Sequence, residues 1–125
     1  MCIAKEKYEQ IKNSNVTVDE FELDTIRKFE KGENFVTVNS IVIDKEYQNT
    51  DIIKIINNNF LKKLENYKKE NVNISGINGI AVSKDGQKYF ENLGFKKYKK
   101  MDDGNYIYLI EDNIIDTIKN SINKI

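Results

Sequence analysis

Apolar residues along the chain fall into two rhythms. Some stretches crowd β-branched and aromatic residues together. Others repeat them every three or four positions. Phe35–Ile43 reads Phe-Val-Thr-Val-Asn-Ser-Ile-Val-Ile and predicts a central strand. Asp44–Thr50 is polar and predicts a loop. Ile52, Ile56, Phe60, Leu64 and Tyr67 then recur at helical spacing, with Ile53 and Leu61 widening the stripe. This predicts a long amphipathic helix ending in the charged stretch Lys68–Glu70. Val72–Val82 predicts a second strand with Gly76 and Gly79 inside it, and Gly86–Leu93 a short helix stopped by Gly94. Phe95–Lys99 and Tyr106–Ile110 predict a hairpin around Asp103-Gly104. Ile114, Ile115, Ile118, Ile122 and Ile125 predict a last amphipathic helix.

The beginning of the chain is less regular. Met1–Ala4 reads as the stub of a strand, and Lys5–Asn13 carries Tyr8 and Ile11 on a helix-like spacing. Asn13-Ser14-Asn15 signals a turn. Val16–Ile26 mixes apolar and acidic residues without a clear period, and Gly32–Asn34 breaks the pattern before the central strand. From Phe35 onward the order is strand, helix, strand, helix, strand, strand, helix. A strand–helix–strand unit implies a crossover and parallel pairing, and the hairpin adds an antiparallel part. The expected architecture is a mixed α/β (α+β) sheet with a central parallel strand pair, helices on both faces, and a C-terminal hairpin and terminal helix.

Composition narrows the chemistry. The chain has 125 residues, the size of one ordinary domain. Lys plus Arg and Asp plus Glu number 20 each, so the net charge is zero and there is no overall basic field for nucleic acid. With no His, the sequence excludes imidazole bases, His-based triads and His metal ligands. Cys2 is the only cysteine, which excludes an internal disulfide and paired-thiolate zinc sites. No apolar run reaches the length of a membrane span, and Met1–Gln10 lacks the apolar stretch of a signal peptide, so the expectation is a cytoplasmic protein without a membrane partner.

Two segments carry a specific resemblance. Ser40-Ile41-Val42-Ile43-Asp44-Lys45-Glu46-Tyr47-Gln48 resembles the cofactor strand and following loop of the GNAT superfamily of acyl-CoA-dependent N-acyltransferases. Tyr89-Phe90-Glu91-Asn92-Leu93-Gly94-Phe95 resembles that family's helix ending in Leu-Gly-Phe. The resemblance covers about Phe35–Ile110. It implies transfer of an acetyl or related acyl group from acetyl-CoA to an amine by direct attack, with no metal. In the family the two central strands splay apart, and the pantetheine arm fills the gap like an added strand. The next helix points its N-terminus at the pyrophosphate, where free N–H groups and the helix dipole favour anions. On this chain the resemblance assigns cofactor contacts to Ile41, Val42 and Ile43 on the strand. It assigns the loop and helix start to Gln48, Asn49, Thr50, Asp51, Ile52, Ile53 and Lys54.

The chain departs from the family at several of these positions. Asp51 and Ile53 stand where the family has Gly and Gly/Ala. Ile53 adds bulk, and Asp51 adds a negative charge beside a negative ligand. Two unit charges about 5 Å apart repel by roughly 3 kcal/mol at an effective dielectric of about 20. Asp51 has a second reading, as the cap of the helix beginning near Ile52. Many family members use a Tyr four residues before the Gly of Leu-Gly-Phe to protonate the leaving thiolate; here that position is Phe90, which has no proton to give. Tyr89 and Ser83 are the remaining candidate acids. Their structural alternatives are a packing aromatic for Tyr89 and a helix cap for Ser83. Glu33, Asp44 and Glu46 flank the cofactor strand as candidate bases or plain surface charge.

Only Met1–Asn34 precedes the cofactor strand, so the family's acceptor wall is thin, and a homodimer is one way to complete it. The isoleucine-rich last helix either covers the sheet or forms that dimer contact. Lys96-Lys97-Tyr98-Lys99-Lys100 reads as a charged edge strand or as a contact for phosphates. These departures keep a second function open: a catalytically inactive GNAT-like domain that binds a ligand or partner through the same cleft.

Overall fold

A computed structural model describes residues 2–13, 27–38 and 51–123, apart from the side chain of Asp51. The elements are β1 (Cys2–Ile3), α1 (Lys5–Asn13), β2 (Gly32–Val38), α2 (Asp51–Lys69), β3 (Val72–Ala81), α3 (Lys84–Asn92), β4 (Lys96–Lys100), β5 (Tyr106–Ile110) and α4 (Ile114–Asn123). They form a five-stranded mixed sheet in the order β1-β2-β3-β5-β4. β2 and β3 are parallel, and every other neighbouring pair is antiparallel. The expected mixed α/β architecture is therefore present. Of the turn expected at Asn13–Asn15 only Asn13, the last residue of α1, is described; Val16–Ile26 and the part of the predicted central strand beyond Val38 lie outside the described residues. Among the described residues no helix is long and apolar enough to cross a membrane.

The sheet carries helices on both faces, and a single bulge decides what each face shows. In the β2–β3 ladder Asn34 pairs with Ile74 and Phe35 with Gly76, so Ser75 is an extra residue in β3. In a regular strand Ile74 and Ile77, three residues apart, would point to opposite faces. With the bulge, both join the larger core, where Leu61 and Leu64 of α2, Phe90 of α3 and Ile114 and Ile118 of α4 close over the sheet. The opposite face carries α1, whose Tyr8 and Ile11 bury against Ile3 and Phe35.

Gly32–Asn34, expected to break the pattern, instead belongs to β2. Asn34 is buried, and its side chain replaces ladder bonds where the register slips. Its Nδ2 donates to the carbonyls of Glu30 (2.7 Å), Gly32 (3.0 Å) and Asn73 (3.1 Å), and its Oδ1 accepts from the Glu30 N–H (3.0 Å). A polar residue inside a strand is stable where it satisfies backbone groups in this way.

The two glycines inside β3 have opposite uses. A Cβ on Gly76 would lie 2.6 Å from Tyr8 Oη, and one on Gly79 would lie 2.5 Å from Phe90 Cζ. Each glycine is the seat of an aromatic ring, one on each face of the same strand. Gly94 closes α3 with φ +91°, a conformation that favours glycine. The last helix places Ile114 and Ile118 in the core, with Ile115 and Ile122 packed against it, so its stripe covers the sheet, the first of its two expected roles.

Two buried hydroxyls point to carboxylates. Tyr8 Oη donates to Glu111 Oε2 (3.2 Å), and Lys12 Nζ reaches both Glu111 oxygens (3.0 and 3.2 Å). On the other face, Tyr108 Oη donates to Glu91 Oε2 (2.6 Å). Burial pushes both phenols above the ordinary tyrosine range, and the neighbouring carboxylates push them further. In the unfolded chain these groups ionise near pH 10. Their contribution is complete below about pH 10 and is lost as the pH rises above it, by roughly 1.4 kcal/mol per pH unit for each tyrosine. The urea midpoint should therefore fall steeply above about pH 10. Tyr8→Phe should reduce that slope, and an unchanged slope would contradict this assignment.

Candidate cofactor cleft at the ends of the central strands

β2 and β3 run side by side from Gly32↔Val72 to Val38↔Gly79. A crossover helix runs back along the strands it joins, so the first turns of α2 lie at the end of the sheet where these strands finish. The same end receives α3, which follows β3 through Val82 and Ser83. It is the place in the fold where the resemblance expects a cofactor. Of the residues assigned there, Ile41, Val42, Ile43, Gln48, Asn49 and Thr50 lie outside the described residues, as do the carboxylates Asp44 and Glu46. Asp51 is the first residue of α2. Lys54 is exposed on its first turn, and Ile53 is half-buried. Glu33 is exposed where β2 begins, opposite Asn73, and so lies at the other end of the sheet from this cleft.

The expected apolar stripe of α2 is displaced at this end. Ile52 and Ile56, predicted to face the core, are 39% and 38% exposed, and Ile55 and Val82 are more exposed still. The buried line runs instead through Asn57, Leu61 and Leu64. Asn57 holds that line because its Oδ1 accepts a 2.7 Å hydrogen bond from Tyr89 Oη, which ties α2 to α3. A buried asparagine on an apolar line is stable only with such a partner. The result is an exposed apolar row on α2, with Val82 exposed just after β3.

The two candidate acids are held by structural bonds. Ser83 is the N-cap of α3, and its Oγ accepts from the Gly86 N–H at 3.1 Å. This is its capping role. Ser83→Ala should lower stability by about 1 kcal/mol in chemical denaturation. Tyr89 directs its proton at Asn57, and burial raises it above the ordinary phenol value, so it keeps that proton. Phe90, where the resemblance would expect an acid, is sealed away from solvent. Its ring stacks on Tyr108 (5.3 Å, 14°), tilts against Phe95 (5.1 Å) and lies on Gly79.

Cys2 is buried in β1, and burial is the main cause of its raised thiol pKa, which makes it a poor nucleophile. Among the described residues no three Cys, Asp or Glu side chains converge as metal ligands. Asn57 and the seat on Gly79 escape a reading of the sequence for different reasons. The first looks like an interruption of a hydrophobic stripe. The second leaves one signal, a glycine inside a strand.

No family model, curated protein or solved structure matches the chain.

Proposed function

We propose that the chain is an acyl-CoA-dependent N-acyltransferase of GNAT type, transferring an acetyl or related acyl group to an amine. The supporting observation is the strand order. A parallel pair β2–β3, joined through α2, stands beside an antiparallel β5–β4 hairpin, and α3 follows β3 at the end of the sheet where the pair finishes. This is the frame in which a peptide-like pantetheine arm is received between two strands. The exposed apolar side chains of Ile52, Ile55, Ile56 and Val82 suit the arm and the acyl group. The pyrophosphate is less well served, because Asp51 and Ile53 replace the loop glycines. When bound, the cofactor supplies the activated thioester. The protein's part is to orient the thioester and the amine, with the chain itself taking no covalent intermediate.

The second reading is a catalytically inactive domain that binds through the same cleft. Phe90 and Tyr89 favour it, since one is sealed in the core and the other is bonded to Asn57. Calorimetry with acetyl-CoA, together with a thiol-release assay over a panel of amines, separates the two. The enzyme reading expects heat and thiol release; heat without release supports the binding domain. Replacing Asp51 and Ile53 by Gly should tighten acetyl-CoA binding about tenfold or more, because it removes a like charge and a branched side chain from the phosphate approach. An unchanged or weaker affinity would count against phosphate binding at the start of α2. Tyr89→Phe should cost about 1–3 kcal/mol of stability by leaving Asn57 Oδ1 buried and unpaired. Its kcat should barely change if Tyr89 is purely structural.

A further inference from the structure

The β4 edge has no part in the proposed reaction. Among the described residues β4 pairs only with β5, and none of them bonds the backbone N–H and C=O groups of its outer side. Its five residues are Lys96, Lys97, Tyr98, Lys99 and Lys100. The register slips between Lys97 and Lys99, which makes Tyr98 an extra residue. Lys96 and Lys99 therefore share a face with Leu109 and Ile107, while Lys97 and Lys100 share the other with Tyr108 and Tyr106. The ammonium groups thus stand two to a face, and the slip decides which two share each face. Lys99 Nζ is held by the Asn13 carbonyl (3.1 Å) on the α1 side. Lys96, Lys97 and Lys100 are exposed, and no ion pair among the described residues neutralises Lys96 or Lys97.

We propose that β4 is a docking edge for an extended acidic peptide, which adds to the sheet as one further strand. Main-chain bonds to the open edge would supply affinity, and carboxylates on alternate faces would meet the lysines on both. The same lysines repel a second copy of the edge, so the device that prevents self-pairing also selects a partner of opposite sign. The aromatic rings argue against a nucleic acid. Base stacking needs an open ring face. Here Lys12 lies over Tyr98 (5.2 Å), whose hydroxyl is bonded to Asn13, and Lys97 lies over Tyr106 (4.3 Å).

The test uses the full chain, isotopically labelled, titrated with a blocked peptide of sequence Glu-Glu-Val-Glu-Glu. Amide shifts should concentrate on β4 and β5, with a dissociation constant in the range of about 0.01–1 mM. The double variant Lys97→Gln, Lys100→Gln should weaken binding about tenfold. Both side chains are exposed, and an unchanged circular dichroism spectrum would verify its fold. A peptide of the same charge with alternate backbone nitrogens methylated should lose binding, because it lacks the donors a new strand needs. The proposal is overturned by equal binding of the methylated peptide, by equal binding of an oligothymidylate of the same charge, or by shifts away from β4. It is also overturned by the absence of shifts at millimolar peptide, or by concentration-dependent self-association through this edge.

Discussion

Replacing Phe90 with alanine should destabilise the protein by about 3–5 kcal/mol, the cost of removing a buried aromatic ring from a packed core. That is a large share of the roughly 5–15 kcal/mol that holds an ordinary domain together. Phe90 is 5% exposed and touches elements on three sides: Gly79 in β3, Tyr108 in β5 and Phe95 just before β4. The cavity would open beneath the strand that carries the parallel pairing, so secondary structure around β3 should loosen together. The urea midpoint measures the effect, and a loss under about 1 kcal/mol would mean that the ring does not organise this core. Phe90→Tyr is the complementary experiment. Gly79 lies against Phe90 Cζ, the atom that would bear the new hydroxyl, so this variant should lose about 1–3 kcal/mol through overpacking and an unpaired hydroxyl. It should gain no transfer activity.

Gly76→Ala should cost about 2–4 kcal/mol, combining overpacking with disturbance of the Tyr8 hydrogen bond. The added Cβ would stand 2.6 Å from Tyr8 Oη and 2.7 Å from Cζ. The ring has little room to yield, because Tyr8 is fully buried and its hydroxyl is bonded to Glu111. Gly104→Ala is the control. Gly104 has a positive φ of 90°, which Gly76 does not, and nothing lies within 4 Å of its would-be Cβ. Its cost should therefore be only the backbone penalty of about 1–2 kcal/mol. Gly76 carries no such strain, so a loss under about 1 kcal/mol for Gly76→Ala would mean that the ring seat contributes nothing.

These seats show where the sequence is legible. The long helix α2, the strand β3 and the β4–β5 hairpin follow from spacing and turn residues, because tertiary packing reinforces their local preferences. Gly76 and Gly79 stand out as glycines inside a strand. Which ring uses which glycine depends on the bulge at Ser75, and no local pattern encodes that. Asn34 and Asn57 look like interruptions and prove to be bonded polar anchors, one bridging backbone groups and the other receiving Tyr89. Ile52 and Ile56 have the right spacing for a core, yet Asn57 sets the rotation of α2 and leaves them at the surface. The candidate cleft rests on the resemblance. Its chemistry is not legible, because Ser83 and Tyr89 belong to residue types that cap helices and bridge them as readily as they donate protons.

Titration of the labelled chain with acetyl-CoA tests the proposed cleft most directly. The proposal predicts saturable binding, with amide shifts concentrated at Val38, Gly79–Val82 and the first turn of α2, and β4 left unperturbed. No shift at millimolar acetyl-CoA, or shifts confined to surfaces away from the ends of β2 and β3, would contradict it: main-chain groups at the finish of the parallel pair would then not receive a thioester carrier.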